Sequence, residues 1–178
     1  DVADRTCSGC LKGKYQSVNG FMDTSCSFCE AGKSFASTTL QCAVCASGFY
    51  QSNNAAASVT CSPWSVCTEG TYGSVPTLSL NRECDSCADG TYQSLTSFTG
   101  TACGLCPAGF AFATKTTSCT ACVASTYQTE NDAASVTCSP WSTCAAGERT
   151  TTSPLPSRNR ACSACAPGKY QTDGEYTG

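Results

Sequence analysis

Eight cysteines in the first half of the chain, Cys7, Cys10, Cys26, Cys29, Cys42, Cys45, Cys61 and Cys67, each have a counterpart at one constant offset in the numbering, 77. The counterparts are Cys84, Cys87, Cys103, Cys106, Cys119, Cys122, Cys138 and Cys144. Cys162 and Cys165 follow Cys84 and Cys87 at an offset of 78 and open a third copy. The register extends to the residues between: CSPWSVC at 61–67 returns as CSPWSTC at 138–144, and the two segments hold both tryptophans of the chain. Self-similarity at a fixed period is the signature of stacked repeats, and it constrains the fold more than any local propensity. Residues 1–6 read as the end of a preceding module, 7–83 as a first repeat of four modules, 84–161 as a second and 162–178 as the start of a third.

These cysteines have to supply what the rest of the composition lacks. Leu, Val and Phe together number 22 of 178 residues and there is no isoleucine, so no large apolar core can form. With 18 cysteines the chain falls in the disulfide-scaffold class, where each bridge closing a loop of about 15 residues is worth roughly 3 kcal/mol. Disulfides persist outside the reducing cytosol, which points to an extracellular or cell-surface protein. The net charge of -3 rests on only 10 Lys and Arg, scattered singly, so no nucleic-acid footprint is expected. No apolar run is long enough for a membrane span, and residues 1–20 lack the apolar stretch of a signal peptide.

A finer rule runs inside the repeat. The cysteines of each period come as three C-x2-C groups and one C-x5-C group. Glycine stands three residues after the second cysteine of a group, at Gly13, Gly32, Gly48, Gly70, Gly90, Gly109, Gly147 and Gly168, with Ser125 the one exception. Five residues after it stands tyrosine, at Tyr15, Tyr50, Tyr72, Tyr92, Tyr127 and Tyr170, usually followed by glutamine. Glycine accepts positive φ, so the pattern predicts a sharp turn into a short extended piece, with the tyrosine ring near a bridge. In the second module of each period Ser34 and Ala111 replace tyrosine, with Phe35 and Phe112 one residue later; Arg149 replaces it without a neighbouring aromatic. The expected fold is therefore a series of small disulfide-rich repeats, short irregular β-strands with little helix and no central hydrophobic core. If each module contacts only its neighbours, the array is an elongated rod or superhelix.

Sequence does not fix the pairing of so many cysteines. The scheme that repetition favours joins the second cysteine of each group to the first of the next: Cys10 to Cys26, Cys29 to Cys42, Cys45 to Cys61, Cys67 to Cys84, Cys87 to Cys103, Cys106 to Cys119, Cys122 to Cys138 and Cys144 to Cys162. Bridges within the C-x2-C groups are the alternative, at the cost of small strained loops. The sequential scheme leaves Cys7 and Cys165 for bridges to preceding and following segments.

C-x2-G-x-Y, a C-x2-C group one loop further on, then C-x2-W-x2-C and a stretch ending in R-x-C together resemble the cysteine-rich repeats of tumour necrosis factor receptors. The pattern equally resembles the ephrin-receptor-like repeats of protist and algal surface proteins. The resemblance covers the whole chain. It implies that Trp64 and Trp141 occupy the tryptophan position between paired cysteines and that Arg5, Arg82 and Arg160 precede a module-closing cysteine. Long, near-identical blocks depart from the few unequal and shorter repeats with which such receptors meet their ligands.

Competing chemistries find less support. Cys7, Cys10, Cys26 and Cys29 have the spacing of a four-cysteine zinc site, but nine cysteine groups cannot all be taken up in pairs and the chain has no histidine. Without histidine neither a Ser-His-Asp triad nor a Cys-His pair can be built, and Glu69, Asp85 and Asp89 sit singly, so no catalysis, metal or cofactor is expected. Thr150, Thr151, Thr152 and Ser153 read as O-glycosylation candidates or bare solvated loop. Two function classes follow. The first is an extracellular structural protein, a disulfide-laddered subunit or segment of a surface filament, flagellar hair or coat, with copies of itself and glycans as partners. The second is the ectodomain or stalk of a receptor or adhesin that binds a protein ligand.

Overall fold

In the computed structural model the described residues are 6–20, 23 and 25–173. Small disulfide-rich repeats make up the fold: short strands of two to five residues, no helix among the described residues, and buried side chains that are mostly half-cystines. The strands are β1 (Lys33–Ser34), β2 (Ala43–Val44), β3 (Phe49–Tyr50), β4 (Ser62–Pro63), β5 (Thr71–Gly73), β6 (Cys84–Ser86), β7 (Phe110–Ala111), β8 (Thr120–Ala121), β9 (Thr126–Tyr127), β10 (Ser139–Pro140), β11 (Glu148–Thr152) and β12 (Ala161–Ala164). Antiparallel hairpins join β1 to β2, β3 to β4, β7 to β8, β9 to β10 and β11 to β12. Isolated bridges Tyr15–Ser27 and Tyr92–Gly104 hold the first and fifth modules in the same manner.

The chain forms two compact units, Asp1–Val66 with Gly73–Cys84, and Cys67–Tyr72 with Asp85–Gly178. In the first, the buried side chains include Cys29, Cys45 and Val59; in the second, Cys67, Cys87, Cys106, Cys122, Cys144 and Val136. The buried sulfur is in each case the second of its group, the one from which the glycine turn departs. Val59 and its counterpart one repeat later, Val136, are the only aliphatic side chains of this core among the described residues, and their carbonyls accept the amides of Phe35 and Phe112. A core of sulfur and one valine per repeat is all that so apolar-poor a sequence can bury, so cross-links replace burial as the source of order.

All eight glycines of the turn rule have positive φ, between 74° and 91°. Ser125, the exception in sequence, takes the same conformation at φ 66°. A side chain in this region costs about 1–2 kcal/mol, against roughly 0.5–1 kcal/mol for the extra unfolded-state freedom of glycine. Ser125→Gly is therefore expected to stabilise the protein by about 0.5–1 kcal/mol, read as a rise in thermal midpoint; a fall would show that the Ser125 hydroxyl contributes more than its strain costs.

Contacts are not confined to neighbouring modules, which corrects the expectation drawn from the repeat alone. Calling the segments from Cys10, Cys29, Cys45, Cys67, Cys87, Cys106, Cys122, Cys144 and Cys165 modules one to nine, Gly13 of the first module lies against Ser58 of the third, and the Ser58 amide donates to its carbonyl. Gly90 of the fifth receives Ser135 of the seventh in the same way. The even modules do likewise: Gly32 faces Leu78, Gly70 faces Thr116 and Gly109 faces Pro156. At Gly13, Gly70 and Gly90 a Cβ would overlap that loop, so the missing side chain is what lets it come so close.

Candidate functional site

The feature that recurs through the array is a backbone clasp, so the candidate site is an interface between modules rather than a cleft. In the first unit the Gly32 amide donates to the Gln51 carbonyl at 2.7 Å, and the Cys45 amide donates to the Gly32 carbonyl at 2.8 Å. The second unit repeats both bonds three times. Gly70 donates to Gln93 at 2.7 Å and accepts from Cys87 at 2.8 Å; Gly109 donates to Gln128 at 2.8 Å and accepts from Cys122 at 2.8 Å. Gly147 donates to Gln171 at 2.7 Å and accepts from Cys165 at 2.8 Å. Each clasp joins the turn glycine of an even module to the cysteine and the post-tyrosine glutamine of the next odd one.

The glutamine then reaches forward. The Gln16, Gln51, Gln93 and Gln128 amides donate to the carbonyls of Thr38, Leu78, Lys115 and Pro156, each in the loop of the following even module. Gln51, Gln93 and Gln128 are accordingly buried. Their side chains are bonded locally and unequally, and Gln93 Nε2 and Gln128 Oε1 are buried without a protein partner among the described residues. The Gln51 side-chain amide donates to the Lys33 carbonyl at 2.9 Å and its Oε1 accepts from Asn53, whereas Gln93 Oε1 accepts from Leu95 and Gln128 Nε2 donates to the Glu130 carbonyl. Sequence reading marked this glutamine only as a companion of tyrosine. Its recurrence at the same offset after the half-cystine was the available signal, but only the structure shows that the backbone, not the side chain, does the joining.

The structure joins Cys10 to Cys26, Cys29 to Cys42, Cys45 to Cys61, Cys87 to Cys103, Cys106 to Cys119, Cys122 to Cys138 and Cys144 to Cys162, with Cα–Cα separations of 5.6 to 5.8 Å. Cys67 and Cys84 are disulfide-bonded as well. Bridged sulfurs cannot offer the thiolate shell of a zinc site, and among the described residues no cluster of three or more His, Cys, Asp or Glu could hold a metal ion. Cys7, exposed, and Cys165, half-buried, form no bridge with the described residues of the chain.

The two tryptophan settings differ between copies. The Trp64 indole donates to the Thr77 carbonyl at 3.0 Å, and Arg82, itself buried, donates from Nε to the Ser65 carbonyl at 3.1 Å. In the second copy Trp141 Nε1 and Arg160 Nε are buried without a protein partner among the described residues, while Arg160 Nη1 donates to Thr150 Oγ1 at 3.0 Å. The eighth module carries the extra residue that lengthens the repeat offset, and β11 pairs with β12 through a register shift between Thr150 and Thr152. That longer hairpin occupies the position where Arg149 stands in place of tyrosine. Arg5 lies outside the described residues.

Thr150, Thr151 and Thr152 are part of β11, not of a bare loop, which corrects that reading. Thr151 Oγ1 donates to the Ala161 carbonyl, and Ser153 is exposed just beyond the strand. Charges contribute little: Glu30 is held below its ordinary carboxylate range by a hydrogen bond from Lys33, which is raised in turn, and both are solvent-exposed. No helix is long and apolar enough to cross a membrane among the described residues.

No protein-family model matches the chain, and no match to a curated protein was found. Among solved structures, the crystal structure of mouse RANKL-OPG complex aligns with 71% of this chain and 93% of that chain, at 18% sequence identity and a TM-score of 0.31.

Proposed function

We propose that this chain is an extracellular structural repeat protein, a disulfide-laddered subunit or segment of a surface filament, flagellar hair or coat. The observation that carries this reading is the clasp. It is made by backbone atoms and a left-handed glycine, it recurs four times with the same geometry, and it asks nothing of the variable side chains. Such an interface extends by repetition, as stacked repeats do, whereas a ligand-binding face needs modules that differ where the ligand is met. The partners on this reading are further copies of the same array, with glycans on exposed hydroxyls such as Ser153. Disulfides as the main source of order support a location outside the cytosol. The sequential bridge pairing belongs to the proposal, with Cys7 and Cys165 linking to neighbouring segments.

Electron microscopy of native material is the test. Continuous filaments or a coat, with density running from one copy into the next, are the expected result. Discrete monomers in which Cys7 and Cys165 remain free thiols would overturn it and favour the receptor or adhesin stalk. Non-reducing peptide mapping is expected to recover Cys10 with Cys26 and Cys45 with Cys61; bridges inside the C-x2-C groups would refute the ladder.

A further inference from the structure

Both tryptophans stand in W-x2-C, Trp64 before Cys67 and Trp141 before Cys144, and both are half-buried. In each copy the tryptophan amide donates to the carbonyl of a turn residue, Gly48 or Ser125. What differs is the indole. Trp64 Nε1 donates to the Thr77 carbonyl, whereas Trp141 Nε1 is buried with no acceptor among the described residues.

One residue causes the difference. Thr77 and Leu155 stand at the same distance before Cys84 and Cys162, and each opens a turn in which its amide donates at 3.0 Å to a carbonyl, that of Leu80 or Arg158. In the first turn the Leu80 amide donates to the Thr77 hydroxyl at 3.0 Å, which leaves the Thr77 carbonyl for the indole. Leu155 has no hydroxyl. The Arg158 amide takes the Leu155 carbonyl instead, at 3.1 Å, and Trp141 is left without its acceptor. A buried donor bears its full desolvation cost when unpaired, so this N–H calls for an acceptor that the polypeptide does not supply.

We infer that Trp141 is a C-glycosylation site, in which indole C2, the carbon bonded to that nitrogen, carries a hexose whose oxygens accept from Nε1. W-x2-C is a setting in which tryptophan takes a C2-linked mannose, so the substrate class is a lipid-phosphate-linked mannose. Indole C2 attacks the anomeric carbon, and the C–C bond forms as the bond from that carbon to the phosphate oxygen breaks. The lipid phosphate leaves with the electron pair, and the C2 proton is lost to base. Transfer takes place before the bridges close, and the exposed turn 155–158 then folds over the sugar. Trp64, whose N–H the Thr77 carbonyl already holds, gains nothing from the same change. The inference rests on the location outside the cytosol proposed above, and not on the filament.

Peptide mass spectrometry on native material is the first test. The reduced and alkylated peptide containing Trp141 is expected to carry one hexose that survives alkaline β-elimination and fragments by cross-ring cleavage, as a C–C link requires. An unmodified peptide, or a hexose lost on β-elimination and therefore held by a serine or threonine, overturns the inference and leaves the filament reading standing. The second test reads the hydrogen bond itself. The full chain is secreted with and without the mannosyltransferase, and Leu155→Thr, an exposed substitution that restores the residue of the first copy, is compared in both forms. Without the sugar it is expected to raise the thermal midpoint by about 2–4 °C, the effect of one hydrogen bond in a chain of this size. With the sugar in place the N–H is already engaged, and no rise is expected. Equal effects in the two forms overturn the inference.

Discussion

Reduction of the bridges is expected to unfold the protein completely, with loss of all fixed tertiary signal and expansion to the dimensions of a denatured chain, while EDTA leaves it unchanged. Seven of the bridges close loops of separation 13 to 18, each worth about 3 kcal/mol in the chain-entropy model. Their total, on the order of 20 kcal/mol, exceeds the roughly 5–15 kcal/mol net stability of ordinary domains. The remaining buried side chains cannot replace it, since among the described residues two valines are the only aliphatic groups of that core. Circular dichroism and size-exclusion chromatography after thiol treatment are the measurements. A reduced chain that keeps its compact form would show that burial, not cross-linking, carries the fold. Unfolding by EDTA alone would show a structural metal.

The second large effect separates two roles of glycine. Gly90 and Gly48 both have positive φ, 82° and 91°, so alanine at either is strained by about 1–2 kcal/mol. A Cβ on Gly48 meets nothing within 4 Å, whereas on Gly90 it falls 2.8 Å from the Ala134 carbonyl carbon and closer still to Ser135. Backbone cannot step aside as a flexible side chain can, so overpacking adds roughly 1–3 kcal/mol at Gly90. Gly90→Ala is expected to destabilise by about 2–5 kcal/mol and Gly48→Ala by about 1–2 kcal/mol, measured by denaturant titration with the bridges intact. Equal losses would mean that the approach of the seventh module to the fifth contributes nothing to stability.

Gly13, with Ser58 against it, is the same contact one period earlier, and a parallel loss is expected there. The pair of sites shows why the fold reads unevenly from sequence. The turn at each glycine is local: a cysteine, two residues of any kind, glycine and then an extended pair is a statement about φ, and the spacing carries it. Even Ser125, which breaks the letter pattern, keeps the backbone of the turn because its neighbours close the same hairpin, β9 with β10. The contact of Gly13 with Ser58 is of another kind. Nothing in the residues near Gly13 marks the distant Ser58 as its neighbour, and an array in which modules touch only in sequence order would have served the same cysteine pattern.

The threonines of β11 make the same point from the side of error. Thr150, Thr151 and Thr152 look like a solvated loop because hydroxyl-rich runs usually are, but the hairpin with Ala161–Ala164 takes them up once Cys144 and Cys162 are joined. Threonine is itself enriched in strands, and the hairpin follows that preference.

The sequence by itself determined the period, the modules, the glycine turns, the absence of a conventional core and hence a disulfide-rich repeat fold. These follow from spacing and composition, which are one-dimensional quantities. Only the tertiary structure decided that glycine, cysteine amide and glutamine carbonyl form one clasp between successive modules, and that loops two modules apart close on bare glycine Cα atoms. Those are backbone hydrogen bonds and steric contacts between residues distant along the chain. Every non-proline residue has the same amide and carbonyl, so no side-chain pattern announces which of them will meet.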